Sequence, residues 1–222
     1  MLPLPAALAV LLTVTSSRAI APSAFVPAGA TAPVSAPLAL VVEEGSLWNE
    51  PGVLEGVLGK ASAIFGQCGV SLGETQVVVV KWSPEGLALL NDENPYHGPA
   101  QMNVMGAGGL PSRRPIGFLF GPKSVPSTAE AYNRTSVEFF QARYPAAAGL
   151  LDTFWITSDQ QTRPRRKDEA ATFSIFAHEL THILGDLKHT DAAPNLMTNS
   201  ETPGAKSGDL LPEQCDAVRR LQ

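Results

Sequence analysis

The chain has 222 residues, room for one catalytic domain and a short leader but hardly for two domains. Hydrophobic residues make up 44% and charged residues 17%, a balance that suits a globular protein with a buried core. The net charge of −5 argues against nucleic acid or an anionic membrane as the main partner. The only basic run, Arg163-Pro164-Arg165-Arg166-Lys167, reads as a solvated loop rather than a binding patch or a processing site.

The amino terminus has a different character. From Leu2 to Val14 it is apolar, no charge occurs before Arg18, and Ser17-Arg18-Ala19 offers small residues on either side of the arginine for cleavage. This pattern predicts a signal peptide over residues 1–19, too short to span a bilayer, although its start carries no Lys or Arg. The alternative is an N-terminal strand, or disorder. Residues 20–44 are dominated by Ala, Pro, Ser, Val and Gly and predict a flexible linker or short propeptide, because large apolar side chains are needed to offset ordering entropy. The folded domain is expected over 45–222, as a secreted monomer, extracellular or periplasmic. Cys68 and Cys215 fit an exported protein with one disulfide.

In chain order, Val53, Val57, Ala61, Ile64, Phe65 and Cys68 form a helical stripe, weakened by intervening glycines. Residues 77–82 are a β-branched run that reads as a buried strand, and 101–105, 116–120 and 153–157 are further strands. Ser127-Thr128-Ala129-Glu130 has the form of a capping box, predicting a helix towards Tyr144 that Pro145 ends. The clearest helix follows. Asp168 is its expected cap, and Phe173, Phe176, Ala177, Leu180, Ile183 and Leu184 make one apolar face. Gly185 is placed to end it in a left-handed conformation. Pro212 opens a last helix with Leu211, Cys215 and Val218 on one side. Strands first and the best helices last predict an α+β domain.

The chemistry concentrates in His178-Glu179-Leu180-Thr181-His182. Histidines four apart on a helix project from one face, about 5–6 Å apart at Cβ, near enough to share a metal ion. His178 and His182 lie off the apolar stripe, so the helix can bury Leu180 and Leu184 while turning both imidazoles to a cleft. Glu179 follows the first ligand, where a carboxylate reaches water beside the metal without ligating it. Zinc lowers the pKa of such a water from 15.7 to about 7, and Glu179 is the expected general base as it attacks a peptide carbonyl. The bland alternative is an exposed helix face with two unrelated histidines. Against it, only four histidines occur in the chain, and His178, His182 and His189 fall within twelve residues.

His178-Glu179-x-x-His182-x-x-Gly185, a further histidine, and then Asn195-Leu196-Met197-Thr198 resemble the metzincin clan of zinc peptidases. The resemblance covers residues 169–222 by motif and 45–168 only by architecture. It implies a twisted mixed sheet, an active-site helix, a C-terminal helix, one catalytic Zn2+, and hydrolysis of a peptide or protein substrate. Gly185 then lets the chain turn towards a third histidine, and Met197 forms an apolar floor under the site. The clan's usual spacing puts that histidine where Lys188 stands, a poor ligand because it is protonated near neutral pH. His189, one residue later, is therefore the expected third ligand, with Asp186 and Asp191 as local rivals. A gluzincin would use a glutamate instead, Glu201 or Glu213. The clan's tyrosine after the methionine is missing, so no oxyanion donor is assigned. A zinc-binding protein of the same fold without catalysis is the rival function, and the intact Glu179 argues against it.

Other residues are ambiguous. Gln67-Cys68-Gly69-Val70 resembles the cysteine switch of matrixins, but Cys68 ends what reads as the first helix of the domain itself, so a Cys68–Cys215 disulfide is the simpler expectation. His97 reads as a plain loop residue, Asp92 and Glu93 offer oxygen ligands for Ca2+, and Asn133-Arg134-Thr135 is a glycosylation sequon.

Overall fold

A computed structural model of the chain describes residues 12–21, 34–90, 115–122, 128–142 and 145–220. The strand expected at 101–105, together with Asp92, Glu93 and His97, lies outside these residues. The strands are β1 (Leu12–Ile20), β2 (Val34–Glu43), β3 (Val70–Trp82), β4 (Ile116–Phe120), β5 (Ala129–Tyr132) and β6 (Thr153–Thr157). The helices are α1 (Val53–Gly66), α2 (Pro84–Leu90), α3 (Arg134–Gln141), α4 (Ser158–Thr162), α5 (Ile175–Gly185) and α6 (Pro212–Arg220). The domain is α+β, with one six-stranded sheet in the order β1-β3-β2-β4-β6-β5. Its four inner strands run parallel, and the two edges, β1 and β5, are antiparallel to their neighbours.

Both faces of the sheet's inner strands are covered, which explains why those strands are largely apolar runs rather than alternating ones. On one face Leu38, Leu40, Val42, Val77, Leu119, Phe154 and Ile156 pack with Phe65 of α1 and Phe176 and Leu180 of α5. On the other, Ala39, Val41, Val78, Val80, Phe118 and Trp155 meet Tyr132, Val137 and Leu150. The edge-on contact of the Phe154 and Phe176 rings, with centroids 5.2 Å apart, sets α5 against the sheet.

Over residues 34–43 the expected 20–44 linker is corrected. Residues 34–43 are β2, paired in parallel with both β3 and β4 and buried from Leu38 to Val42. Leu38, Leu40, Val41 and Val42 supply the apolar burial, and alanines at 36 and 39 fit beneath neighbouring side chains. Pro37 sits where the β2–β3 register shifts, between Ala36 and Leu38, one of the few places a strand tolerates proline. Within the expected leader, residues 12–20 pair with β3 from Leu12 opposite Trp82 to Ile20 opposite Thr75. The side chains of β1 are mostly exposed, so its backbone hydrogen bonds hold it.

The helix expected from Ser127 is corrected too. Residues 129–132 form the edge strand β5, and α3 begins only at Arg134, with Asn133 Oδ1 accepting from the Ser136 amide at 2.9 Å and its hydroxyl at 2.7 Å. Pairing with β6 and an asparagine cap outweigh the weaker capping-box pattern upstream. Cys68 and Cys215 form a disulfide, Cα atoms 4.8 Å apart, that ties the end of α1 to α6. This excludes Cys68 as a metal-blocking thiolate in this structure. No helix among the described residues is long and apolar enough to cross a membrane.

Candidate metal centre

Ser174, not Asp168, caps α5, its hydroxyl accepting from the Ala177 amide at 3.3 Å. Asp168 instead pairs with Lys206 at 3.1 Å, and its neighbour Glu169 grips Arg163 through both oxygens. These two ion pairs, each with a buried carboxylate and a partly exposed cation, brace the turn that leads into α5. Phe176, Ala177, Leu180, Ile183 and Leu184 bury the helix as expected, and His178 and Glu179 are buried as well.

The left-handed residue that ends α5 is Asp186, at φ 46°, rather than Gly185. Gly185 is required for packing. A Cβ on it would lie 2.8 Å from the Leu187 side chain and 3.2 Å from Val218 of α6. Asp186 adopts the strained turn with its carboxylate held by the Thr135 amide and hydroxyl, both at 3.2 Å, at the start of α3. That engagement separates Asp186 from the histidines, and neither it nor Asp191, Glu201 or Glu213 joins the metal-ligating cluster found among the described residues.

That cluster is His178, His182 and His189, with one donor atom from each within 4.8 Å of the others. Every Nδ1 contact resolved on α5 points away from the cluster. His178 Nδ1 donates to Leu196 O at 2.7 Å and His182 Nδ1 donates to Leu187 O at 2.6 Å. Because a carbonyl only accepts, both imidazoles are fixed with Nδ1 protonated and the Nε2 lone pair turned inward. Nε2 of His178 lies 3.1 Å from Nε2 of His189. Two ligands at about 2.0–2.1 Å from one tetrahedral ion lie about 3.3 Å apart, so this spacing fits a shared metal. The extra residue at Lys188 is absorbed in the loop, where Lys188 is exposed and His189 reaches the cluster.

The turn at 195–198 positions two of the three imidazoles. Leu196 O receives His178, while Met197 O accepts from the Thr190 amide at 2.9 Å, next to His189. Met197 itself is fully buried in the core with Phe176 and Ala177. Asn195 locks the turn: its Oδ1 accepts from the Met197 amide at 2.9 Å, and it exchanges amide hydrogen bonds of 2.8 and 3.1 Å with Gln214 of α6.

A cleft of about 720 Å³ runs between α5 and β5, lined by the three histidines, Glu179, Glu130, Tyr132, Phe139 and Leu187 among others. Burial disfavours charge here. It drives His178 down to about 3 and His182 to about 4, and His189 falls below its usual value through burial and the Lys206 charge. All three are thus neutral, as metal ligands must be. Glu179 is pushed up to about 8, first by burial and then by the charge of Glu130 on β5.

Four contributors escape the motif. The carbonyls of Leu187 and Leu196 carry no side-chain signature. Glu130 sits inside a misread helix pattern. In the sequence Asn133 stands out only as part of a sequon, yet it is buried, and its amide donates to His182 O at 3.2 Å and Leu187 O at 3.4 Å. An asparagine three residues before Ser136 is the one sequence signal that marks it as a cap. No protein-family model matches the chain, and no curated protein matches it closely enough to count as a relative.

Proposed function

We propose that the chain is an exported zinc-dependent endopeptidase of the metzincin type, with His178, His182 and His189 as ligands and Glu179 as general base. The observation that carries this reading is the convergence of three neutral imidazoles and a carboxyl of raised pKa in one open cleft. A structural zinc site is closed by a fourth protein ligand and has no use for such a carboxyl. The disulfide supports export.

When bound, the zinc ion supplies Lewis acidity, polarising a peptide carbonyl and acidifying water. Glu179 releases its own proton once a cation sits nearby, since an opposite charge favours the carboxylate. It then takes a proton from the attacking water at a carboxylate oxygen and delivers it to the leaving nitrogen. Leu187 O and Leu196 O keep the His182 and His178 rings aimed during this exchange. The substrate binds extended along β5, the last strand of the sheet on the cleft side, adding its backbone to the edge.

The purified chain is expected to hold about one zinc per molecule and to cleave denatured protein. Glu179→Gln should keep the zinc and lower cleavage by about 100-fold or more. His189→Ala should weaken zinc binding sharply while Glu201→Ala leaves it unchanged. Wild-type protein that binds zinc but cuts nothing in a broad peptide library makes the chain a zinc-binding protein instead.

A further inference from the structure

A second pocket, of about 540 Å³, shares no lining residue with the histidine cleft. It lies where α1 meets the segment entering α5, and its walls include Val53, Val57, Lys60, Arg163, Arg165 and Ile175. The basic run at 163–167 that reads as a solvated loop contributes two of these side chains.

The charges in the pocket are unevenly matched. Arg163 is neutralised by Glu169, with bonds of 2.9 and 2.5 Å. Lys60 donates to two neutral carbonyls, Ala171 O at 3.2 Å and Phe173 O at 2.5 Å, and its ammonium keeps a third proton. Arg165 forms no ion pair among the described residues. Lys60 and Arg165 line the same pocket, and Lys60 is held below its usual pKa by burial and then by repulsion from Arg165. On a chain of net charge −5 this is a local excess of positive charge beside an apolar wall.

We propose that this pocket binds an acidic peptide segment, with a Glu or Asp carboxylate between Lys60 and Arg165 and an adjacent apolar side chain against Val53, Val57 and Ile175. A carboxylate removes the cation repulsion, and the apolar wall selects a peptide over a small inorganic anion. Phe173, whose carbonyl Lys60 holds, lies 5.8 Å from the His178 ring between centroids. The binding does not require the chain to be a peptidase.

The test uses the full chain carrying Glu179→Gln, so that catalysis does not enter, and a short fluorescent peptide of leucine and glutamate followed by anisotropy. Saturable, salt-sensitive binding is expected, and it should persist after the metal is chelated. Arg165→Glu should weaken it about tenfold or more, the loss of one charge-assisted bond, whereas Lys167→Glu, outside the pocket, changes it less than about twofold. Lys60→Gln, checked for an unchanged circular dichroism spectrum, should act like Arg165→Glu. The proposal is overturned by absence of saturable binding, by equal losses in Arg165→Glu and Lys167→Glu, or by equal affinity for a leucine–lysine peptide.

Discussion

Replacing Asn133 with alanine tests how the metal-site helix is anchored. The side chain is 3% exposed and makes two kinds of bond. Its oxygen caps α3 through Ser136, and its amide ties α3 to His182 O and Leu187 O at the end of α5. Losing an Asn cap costs about 1 kcal/mol. Leu187 O retains the His182 imidazole, but His182 O loses its side-chain donor, adding about 1–3 kcal/mol. Asn133→Ala is therefore expected to cost about 3 kcal/mol, a fall in Tm of about 6–12 °C for a domain of this size. Urea unfolding followed by tryptophan fluorescence measures it. Asn133→Asp separates the two roles, because a carboxylate caps α3 but donates nothing to the carbonyls; it should lose stability mainly through the amide half. A loss below about 0.5 kcal/mol for Asn133→Ala, or a glycan on Asn133 in folded protein from a eukaryotic host, refutes this account.

Reducing the Cys68–Cys215 bond, or replacing both cysteines with alanine, opens a loop of 147 residues. Chain entropy puts the loss at up to about 5 kcal/mol, to be read as a shift in denaturant midpoint; an unchanged midpoint contradicts it. Asp168 and Glu169 both titrate below their usual values because Lys206 and Arg163 outweigh burial. Their stabilisation is complete above the unfolded carboxylate range and is lost as pH falls through the lower folded values. Tm should thus decline below about pH 4.5, and Lys206→Met should flatten the Asp168 part of that decline. The depressed histidines work in the same sense for the metal-free chain, whose stability should drop as pH falls below about 6.5. Zinc titrations should show affinity falling by no more than about tenfold per pH unit from about pH 8 to pH 6.5, the one proton that Glu179 releases, and a steeper proton competition contradicts the burial of His178 and His182.

Residues 178–185 bring two histidines and a carboxyl into one short segment because helical geometry is local: four residues always bring two histidines to one face. The same locality made the stripe of α5, the helix from Pro212 and the β-branched run of β3 readable. Misreadings arose where pairing partners are distant in sequence. β2 looks like a linker when judged by its alanines and prolines, and becomes a central strand only because β3 and β4 flank it on both sides. Residues 127–130 carry a helix signal that pairing with β6 overrides.

The sequence by itself determined the kind of chemistry, three imidazoles and a carboxyl, and named His189 despite the shifted spacing. Tertiary structure alone decided how those groups are used. The tautomers depend on the carbonyls of Leu187 and Leu196, the raised pKa of Glu179 on burial against β5, and the choice of His189 over Asp186 on Thr135 holding the aspartate elsewhere. Each of these rests on a desolvated contact between segments far apart in the chain, whose energy no local pattern of side chains encodes.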